Sequence, residues 1–425
     1  MHSSELIDIK IGSLASNGSG IGKLPDGRIL FVPRTLPGDE VQVKLTALKS
    51  RWARGELKKI LKPGKKRKDP SCLLYDECGG CSLQHLPYSE QLKWKGRFVS
   101  DALSRIGRLG VTETFVVPSP NHEQYRNKVT FGLKRLSNGR VIAGFHSLQR
   151  KNQIIDVSDE CILPEADLIS AWVLLRENWG RNAARLPTGG HLRLTLRNSR
   201  TGISLYIKGG RSGWDPKSLM DRVPSVSTVW QKSADTKVLE LLYGKPQRDL
   251  CAGNEVDLMG DTFLQVNPYT AELLQDYVLK KAGSPSTAID GYCGIGHYGR
   301  VLAKSGTKVI GIDVDSPALQ SSRRDSDKNY RFVHGPVEKH LSDFLPVDLC
   351  ILNPPRNGLA ETLPFQLLQK SPKNIIYVSC NAGTLARDLG RLKSSYSLLD
   401  HRSFDLFPQT SHIETVVTLE RSKVR

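Results

Sequence analysis

From Asp261 to its end the chain alternates short apolar runs of strand character with helical stretches, and this alternation constrains the fold more than any other feature. TAID (Thr287–Asp290) leads into a glycine-rich turn and a helix, KVIGIDVD (Lys308–Asp315) into a second helix, and VDLCILN (Val347–Asn353) and NIIYVSC (Asn374–Cys380) follow. Parallel strands need crossover connections, which helices supply, so the pattern predicts a doubly wound, mostly parallel sheet. Ligands of such sheets bind at the carboxyl ends of the strands. Chemistry is therefore expected where these strands stop.

The turn IDGYCGIGHYG (Ile289–Gly299) stands between a strand and a helix, an arrangement that lets a nucleotide-type ligand approach the backbone closely. A lone glycine loop is a weak signal, but Asp313 ends the next strand, where a carboxylate accepts hydrogen bonds from ribose hydroxyls. The turn lacks the third-glycine spacing of dinucleotide sites. This favours S-adenosylmethionine over a nicotinamide dinucleotide, with Gly294 and Gly296 in the turn, Asp313 on the ribose and Tyr292 beside the cofactor. The plainer alternative is a structural glycine turn in an unrelated α/β domain.

At 425 residues the chain is long for one core and should hold two or three. Between residues 5 and 61, short alternating runs (IDIKIGSLA, ILFVPRTL, EVQVKLTAL, ARGELKKIL) are broken by Asp-Gly and Pro-Gly-Asp turns, which predicts a small antiparallel barrel. The string GxGIGKxxDGRILFVPxxLPGDxVxVKL resembles a TRAM domain, an OB-like RNA-binding module, here assigned to residues 1–62. Charge agrees: 61 Lys and Arg against 43 Asp and Glu give +18, and residues 1–68 alone hold 15 against 6. Such a surplus concentrates a polyanion, although alone it would describe a solvated basic face. The run KKILKPGKKRK (Lys58–Lys68) reads as a linker that tracks phosphates. No apolar stretch approaches the roughly 20 residues of a membrane span, and MHSSELIDIKIG lacks a signal-peptide pattern, so a cytoplasmic location is expected.

Residues 63–260 read as an α+β domain, with a helix expected over Ser89–Ile106 and strands in KVTFGLKR, RVIAGFHS and HLRLTLRN. In a reducing compartment the eight cysteines are better read as metal ligands or nucleophiles than as disulfides. Cys72, Cys78 and Cys81 cluster, and a distant Cys161 completes a set of four thiols. Zinc and a [4Fe-4S] cluster both accept that set, so spacing leaves the choice open.

Further motifs lie toward the carboxyl terminus: FLQVN with Gln265, NPPRNG opening at Asn353, YVSCNAGTLARDL with Cys380, and FPQTSHIETV with Glu414. With DxxCGxG and CxxxxxCGGCxLQHLxYxxQLxxK, these resemble, in order and across essentially the whole chain, the RNA uracil-5-methyltransferase family. The resemblance implies a class I, Rossmann-like methyltransferase domain over residues 261–425 and a [4Fe-4S] cluster on Cys72, Cys78, Cys81 and Cys161 that staples an RNA-facing loop. It further implies RNA as partner, with 23S ribosomal RNA preferred to transfer RNA because relatives carrying both TRAM and iron-sulfur segments mostly act there. No membrane and no obligate protein partner is expected.

The residue types suit the chemistry. Carbon 5 of uracil is too weak a nucleophile for a sulfonium methyl until a thiolate adds at carbon 6. Cys380 is the expected nucleophile, Glu414 the base that removes the carbon 5 proton, and Gln265 and Asn353 the expected contacts to base or cofactor. Asn353 stands where the family usually has Asp; its amide can accept from uracil N3–H or rotate to donate to cytosine N3. Competing readings are a cytidine methyltransferase, an exocyclic amino-group methyltransferase, which needs no cysteine, and an inactive RNA-binding assembly factor.

Overall fold

The computed structural model describes residues 6–150, 152–251, 254–260, 262–314 and 327–422. The helix expected after KVIGIDVD falls on residues 315–326, outside the described residues.

Strands β1 (Leu6–Lys10), β2 (Ser13–Leu14), β3 (Gly20–Lys23), β4 (Ile29–Val32), β5 (Glu40–Leu48) and β6 (Trp52–Lys62) form one sheet in the order β1-β5-β6-β4-β3-β2. β1 and β2 are one bent stretch that touches both edges: β1 pairs with β5, then the Gly12 amide donates to Ile21 O at 2.9 Å and β2 pairs with β3. The sheet thereby closes into a barrel around Ile9, Ile11, Leu30, Val32, Val41, Val43 and Ala53. Gly22 is required where the closing strand crosses, because a Cβ there would lie 2.5 Å from Ile9 Cγ2. The OB-like expectation is met.

Helix Tyr88–Arg105, expected from the sequence, and β7 (Val116–Val117) come next. Val99, Leu103, Val111 and Val116 pack into the core of the carboxyl-terminal sheet, and β7 joins its edge through β22 (Tyr396–Phe404).

The central sheet holds β8 (Lys128–Arg135), β9 (Val141–His146), β10 (Ile154–Asp156), β11 (Leu192–Ser199), β12 (Gly202–Lys208), β13 (Val226–Lys232) and β14 (Leu239–Tyr243), in the order β10-β9-β8-β11-β12-β13-β14. One face is covered by helix Ala166–Asn178, whose buried Trp172 stacks on Phe131 with ring centroids 3.7 Å apart. A hairpin of β15 (Gln247–Cys251) and β16 (Asn254–Leu258) follows.

The third sheet contains β17 (Thr287–Gly291), β18 (Lys308–Asp313), β19 (Tyr330–His334), β20 (Leu349–Leu352), β21 (Asn374–Ser379), β22 and β23 (Glu414–Arg421), ordered β19-β18-β17-β20-β21-β23-β22-β7. β17 to β21 run parallel, and β23 inserts antiparallel between β21 and β22. β20 and the apolar run of β21 are buried throughout, as strands covered by helices on both faces must be. Val337, Leu341, Leu363, Leu367, Leu385 and Leu389 build one core, and Leu274, Val278, Leu302 and Ala303 the other. The doubly wound expectation therefore holds. No helix among the described residues is long and apolar enough to cross a membrane.

Candidate active site

Each expected residue of the third sheet lies at one edge. β17, β18, β20 and β21 end at Gly291, Asp313, Leu352 and Ser379, and because β23 is reversed, its first residue, Glu414, lies at the same edge. Ser379 pairs with Thr415, so Cys380, one residue beyond β21, emerges beside Glu414. The chain turns at Cys380 because Asn381 caps the next helix, its Oδ1 accepting from Gly383 N at 2.9 Å and Thr384 N at 3.3 Å. That cap also fixes the NPPRNG loop: Thr384 Oγ1 donates to Arg356 O at 3.1 Å, and Arg387 donates to Asn357 O at 2.8 Å.

Electrostatics ties three side chains together. Burial pushes the Cys380 thiol above its ordinary value and the Glu414 carboxylate pushes it the same way, while the Arg356 guanidinium pulls it back. Burial lifts Glu414, only 4% exposed, to about 8 against the same guanidinium. Arg356 thus acts on both Cys380 and Glu414. The sequence carries it in plain view as the fourth residue of NPPR, yet no role was assigned to it; its nearness to Cys380 is a tertiary fact.

The glycine-rich turn forms a second half of the site. Gly294 N donates to Asp313 Oδ2 at 2.7 Å and Tyr292 N to Ile312 O at 2.9 Å, folding the turn back over the end of β18. Tyr292, Gly294 and Gly296 all take positive φ, of 62°, 54° and 87°. At Gly296 a Cβ would also meet the Tyr330 hydroxyl at 2.8 Å, so two constraints coincide there. Asp290, not singled out from the sequence, is buried beneath the turn: Oδ2 accepts from Gly299 N at 2.8 Å, Oδ1 is buried without a hydrogen bond, and burial raises its carboxyl to about 7. Asn353 N donates to Gly291 O at 3.2 Å, which puts Asn353 between the turn and Cys380.

Gln265 stands apart from that edge in sequence, on a segment anchored at both sides. Leu264 packs against the cluster of Val256, Leu258 and Ile295, the last in the glycine turn, and Val266 O accepts from Asn127 N at 2.9 Å. The half-buried Gln265 is thereby held next to the turn.

Cys72, Cys78, Cys81 and Cys161 line one cavity of about 310 Å³. Among the described residues no three His, Cys, Asp or Glu side chains are placed to hold a metal ion, so the geometry does not show the metal centre expected from the sequence. It does show thiols brought together from two distant stretches. Burial raises all four, Cys81 to about 11 and Cys161 to about 12, and Arg126 opposes that shift at Cys78, Cys81 and Cys161. The barrel contributes Arg34, buried with φ 69°, which donates to Cys81 O, donates to Cys78 O at 2.6 Å, and lies 3.6 Å over the Tyr75 ring.

Comparison with known proteins gives consistent results. A family described as TRAM domain matches residues 5–58, and one described as tRNA (Uracil-5-)-methyltransferase matches residues 338–422. An uncharacterized RNA methyltransferase of Thermosynechococcus vestitus is 33% identical over 98% of this chain and 98% of its own. One from Halalkalibacterium halodurans is 31% identical over 99% and 98%. Among solved structures, the Pyrococcus abyssi tRNA (uracil-54, C5)-methyltransferase in complex with S-adenosyl-L-homocysteine is similar with a TM-score of 0.72 and 27% identity, over 97% of this chain and 100% of that one.

Proposed function

Because the chain belongs to the RNA uracil-5-methyltransferase family and is an S-adenosylmethionine-dependent RNA methyltransferase, we propose that it methylates carbon 5 of a uridine through a covalent Cys380 adduct. The pairing of Ser379 with Thr415, which sets Cys380 against Glu414 under Arg356, carries this reading.

The Cys380 thiolate adds to carbon 6, forming the S–C6 bond and moving the ring's electron pair toward O4, so that carbon 5 becomes nucleophilic. S-adenosylmethionine, when bound, supplies the electrophilic methyl that carbon 5 takes. Glu414 then accepts the carbon 5 proton, the pair re-forms the C5–C6 double bond, and the S–C6 bond breaks to release Cys380. A carboxyl lifted to about 8 holds a proton firmly enough to take it and weakly enough to lose it again. Arg356 stabilises negative charge as it passes between the two groups. Asp313, Tyr292, Gly294, Gly296 and Asn353 would hold the cofactor around the glycine turn, with Gln265 reaching the base or the cofactor. The base must be flipped or single-stranded, since carbon 6 is shielded inside a stack.

The four cysteines would hold a [4Fe-4S] cluster. All four thiols line one cavity, and Arg126 and Arg34, which draw the thiol pKa values down, would offset the negative charge of a thiolate-held cluster there. Its role is structural, stapling the loop that Arg34 grips.

For the RNA, TRAM barrel and cysteine segment together support 23S ribosomal RNA. Transfer RNA is the second reading, favoured by the whole-chain similarity to the Pyrococcus abyssi enzyme. RNA carrying tritium at carbon 5 of uridine decides both points. Tritium release with methyl incorporation supports carbon 5 chemistry, and the RNA species that releases it is the substrate. Methyl incorporation without release would show an amino-group methyltransferase, and neither would show a binding factor.

A further inference from the structure

The central sheet has a second face. Strand residues alternate sides, and where Val129, Phe131, Leu194, Leu205, Ile207 and Val229 enter the core, their neighbours Lys128, Thr130, Arg193, Thr195, Tyr206, Lys208 and Lys232 stand on the opposite side. Register makes this face unusual. Arg193 pairs with Lys208, and Lys208 pairs with Lys232, so three cations lie directly opposite one another on β11, β12 and β13. Beside them Thr130, Thr195 and Tyr206 form a parallel row of hydroxyls, with Thr130 Oγ1 and Thr195 Oγ1 2.8 Å apart. These side chains and Gly260 line a concavity of about 260 Å³.

A line of ammonium, guanidinium and hydroxyl donors around one concavity matches the oxygens of a phosphodiester. Location supplies the second argument. Lys128 and Thr130 also line the cysteine cavity, whose wall includes Phe263, Leu264 and Val266 around Gln265, and Gly260 begins that segment. The concavity and the cysteine cavity therefore share a wall, Gly260 lining one and Phe263, Leu264 and Val266 the other.

We propose that Arg193, Lys208 and Lys232, with Lys128 and Tyr206 beside them, form a phosphodiester-binding subsite that grips the substrate RNA backbone flanking the methylated nucleotide. This rests on the reading of the protein as an RNA methyltransferase.

The test compares Arg193→Gln/Lys208→Gln with Lys217→Gln/Arg222→Gln, which removes equal charge from exposed residues around helix Lys217–Met220, on the covered side of the sheet. Anisotropy of the labelled substrate RNA is followed between 50 and 200 mM salt, values of about the range over which phosphate contacts show. The subsite pair should bind about 10-fold more weakly at low salt, with the slope of log K against log salt shallower by about one to two, KM raised and kcat nearly kept. The control pair should match wild type, and Lys208→Arg should keep the wild-type slope. Equal effects of the two pairs, or an unchanged slope while tritium release continues, would overturn the subsite and leave the methyltransferase reading intact. Wild-type protein that neither binds nor methylates RNA would overturn both.

Discussion

Gln91 and Gln409, 318 residues apart, exchange two hydrogen bonds: Gln91 Nε2 donates to Gln409 Oε1 at 2.9 Å, and Gln409 N donates to Gln91 Oε1 at 3.0 Å. Gln409 O also accepts from Ser82 N and Leu83 N at 3.0 Å, and Ser411 N donates to Ser82 Oγ at 2.9 Å. The loop that delivers Glu414 is thereby fastened to helix Tyr88–Arg105 and to the stretch just after Cys81. Substituting Gln91→Ala leaves buried polar atoms of Gln409 unmet, at about 1–3 kcal/mol. We expect a lower melting temperature and a kcat reduced about 10-fold, with cofactor affinity by calorimetry unchanged; a kcat equal to wild type would show that Glu414 is positioned without this tether.

Lys95 and Asp405, both fully buried, pair at 2.6 Å in the same region, and Lys95 Nζ also donates to Phe407 O at 3.0 Å. Burial lowers the Lys95 pKa against the attraction of Asp405. Lys95→Met strands a buried carboxylate and should destabilise the fold by about 3–5 kcal/mol. The double variant Lys95→Met/Asp405→Leu should recover most of that loss. Denaturant midpoints measure both, and a double variant no better than the single would contradict a purely electrostatic account.

Glu414 links the site to pH. Its carboxyl titrates near its ordinary value of 4.5 in the unfolded chain and at about 8 in the fold, so the native state holds a proton that the unfolded state gives up. The stabilisation is complete below pH 4.5, declines as pH rises, and is gone above about 8. Glu414→Gln, which cannot ionise, should therefore gain stability relative to wild type between pH 5 and 8, on the order of a few kcal/mol. Melting temperatures across that range check it; a constant difference would contradict the buried, raised carboxyl.

Arg356 should govern the reactivity of Cys380. Arg356→Gln removes the charge that holds the thiol down against burial and Glu414, so its pKa climbs and alkylation by iodoacetamide at pH 8 slows several-fold. Glu414→Gln should shift the profile the other way. An alkylation profile insensitive to Arg356 would separate that residue from the nucleophile.

Much of this was legible in the sequence. Strands such as KVTFGLKR and NIIYVSC announce themselves through apolar patterning, and Asp313, Gly294 and Gly296 through their places after strands. What patterning could not convey is long-range register. The antiparallel insertion of β23, which brings Glu414 to the carboxyl edge, the pairing of β1 with β5 in the barrel, and the merging of Val99, Leu103 and Val116 into the third core depend on pairings across tens to hundreds of residues. Arg356 and Gln409 were hidden for the same reason. The row of Arg193, Lys208 and Lys232 looks, strand by strand, like ordinary polar alternation, and becomes a site only when the three strands align.

The covalent step is tested most directly with substrate RNA in which 5-fluorouridine replaces uridine. Fluorine cannot leave carbon 5 as a cation, so under the proposed mechanism the base finds no proton to remove and the adduct on Cys380 cannot resolve. With S-adenosylmethionine present, the account predicts a protein–RNA complex that survives denaturing electrophoresis, carries the transferred methyl, and maps by mass spectrometry to Cys380; it is absent in Cys380→Ala. A methylated RNA without any such complex, or a complex that forms equally in Cys380→Ala, would contradict it.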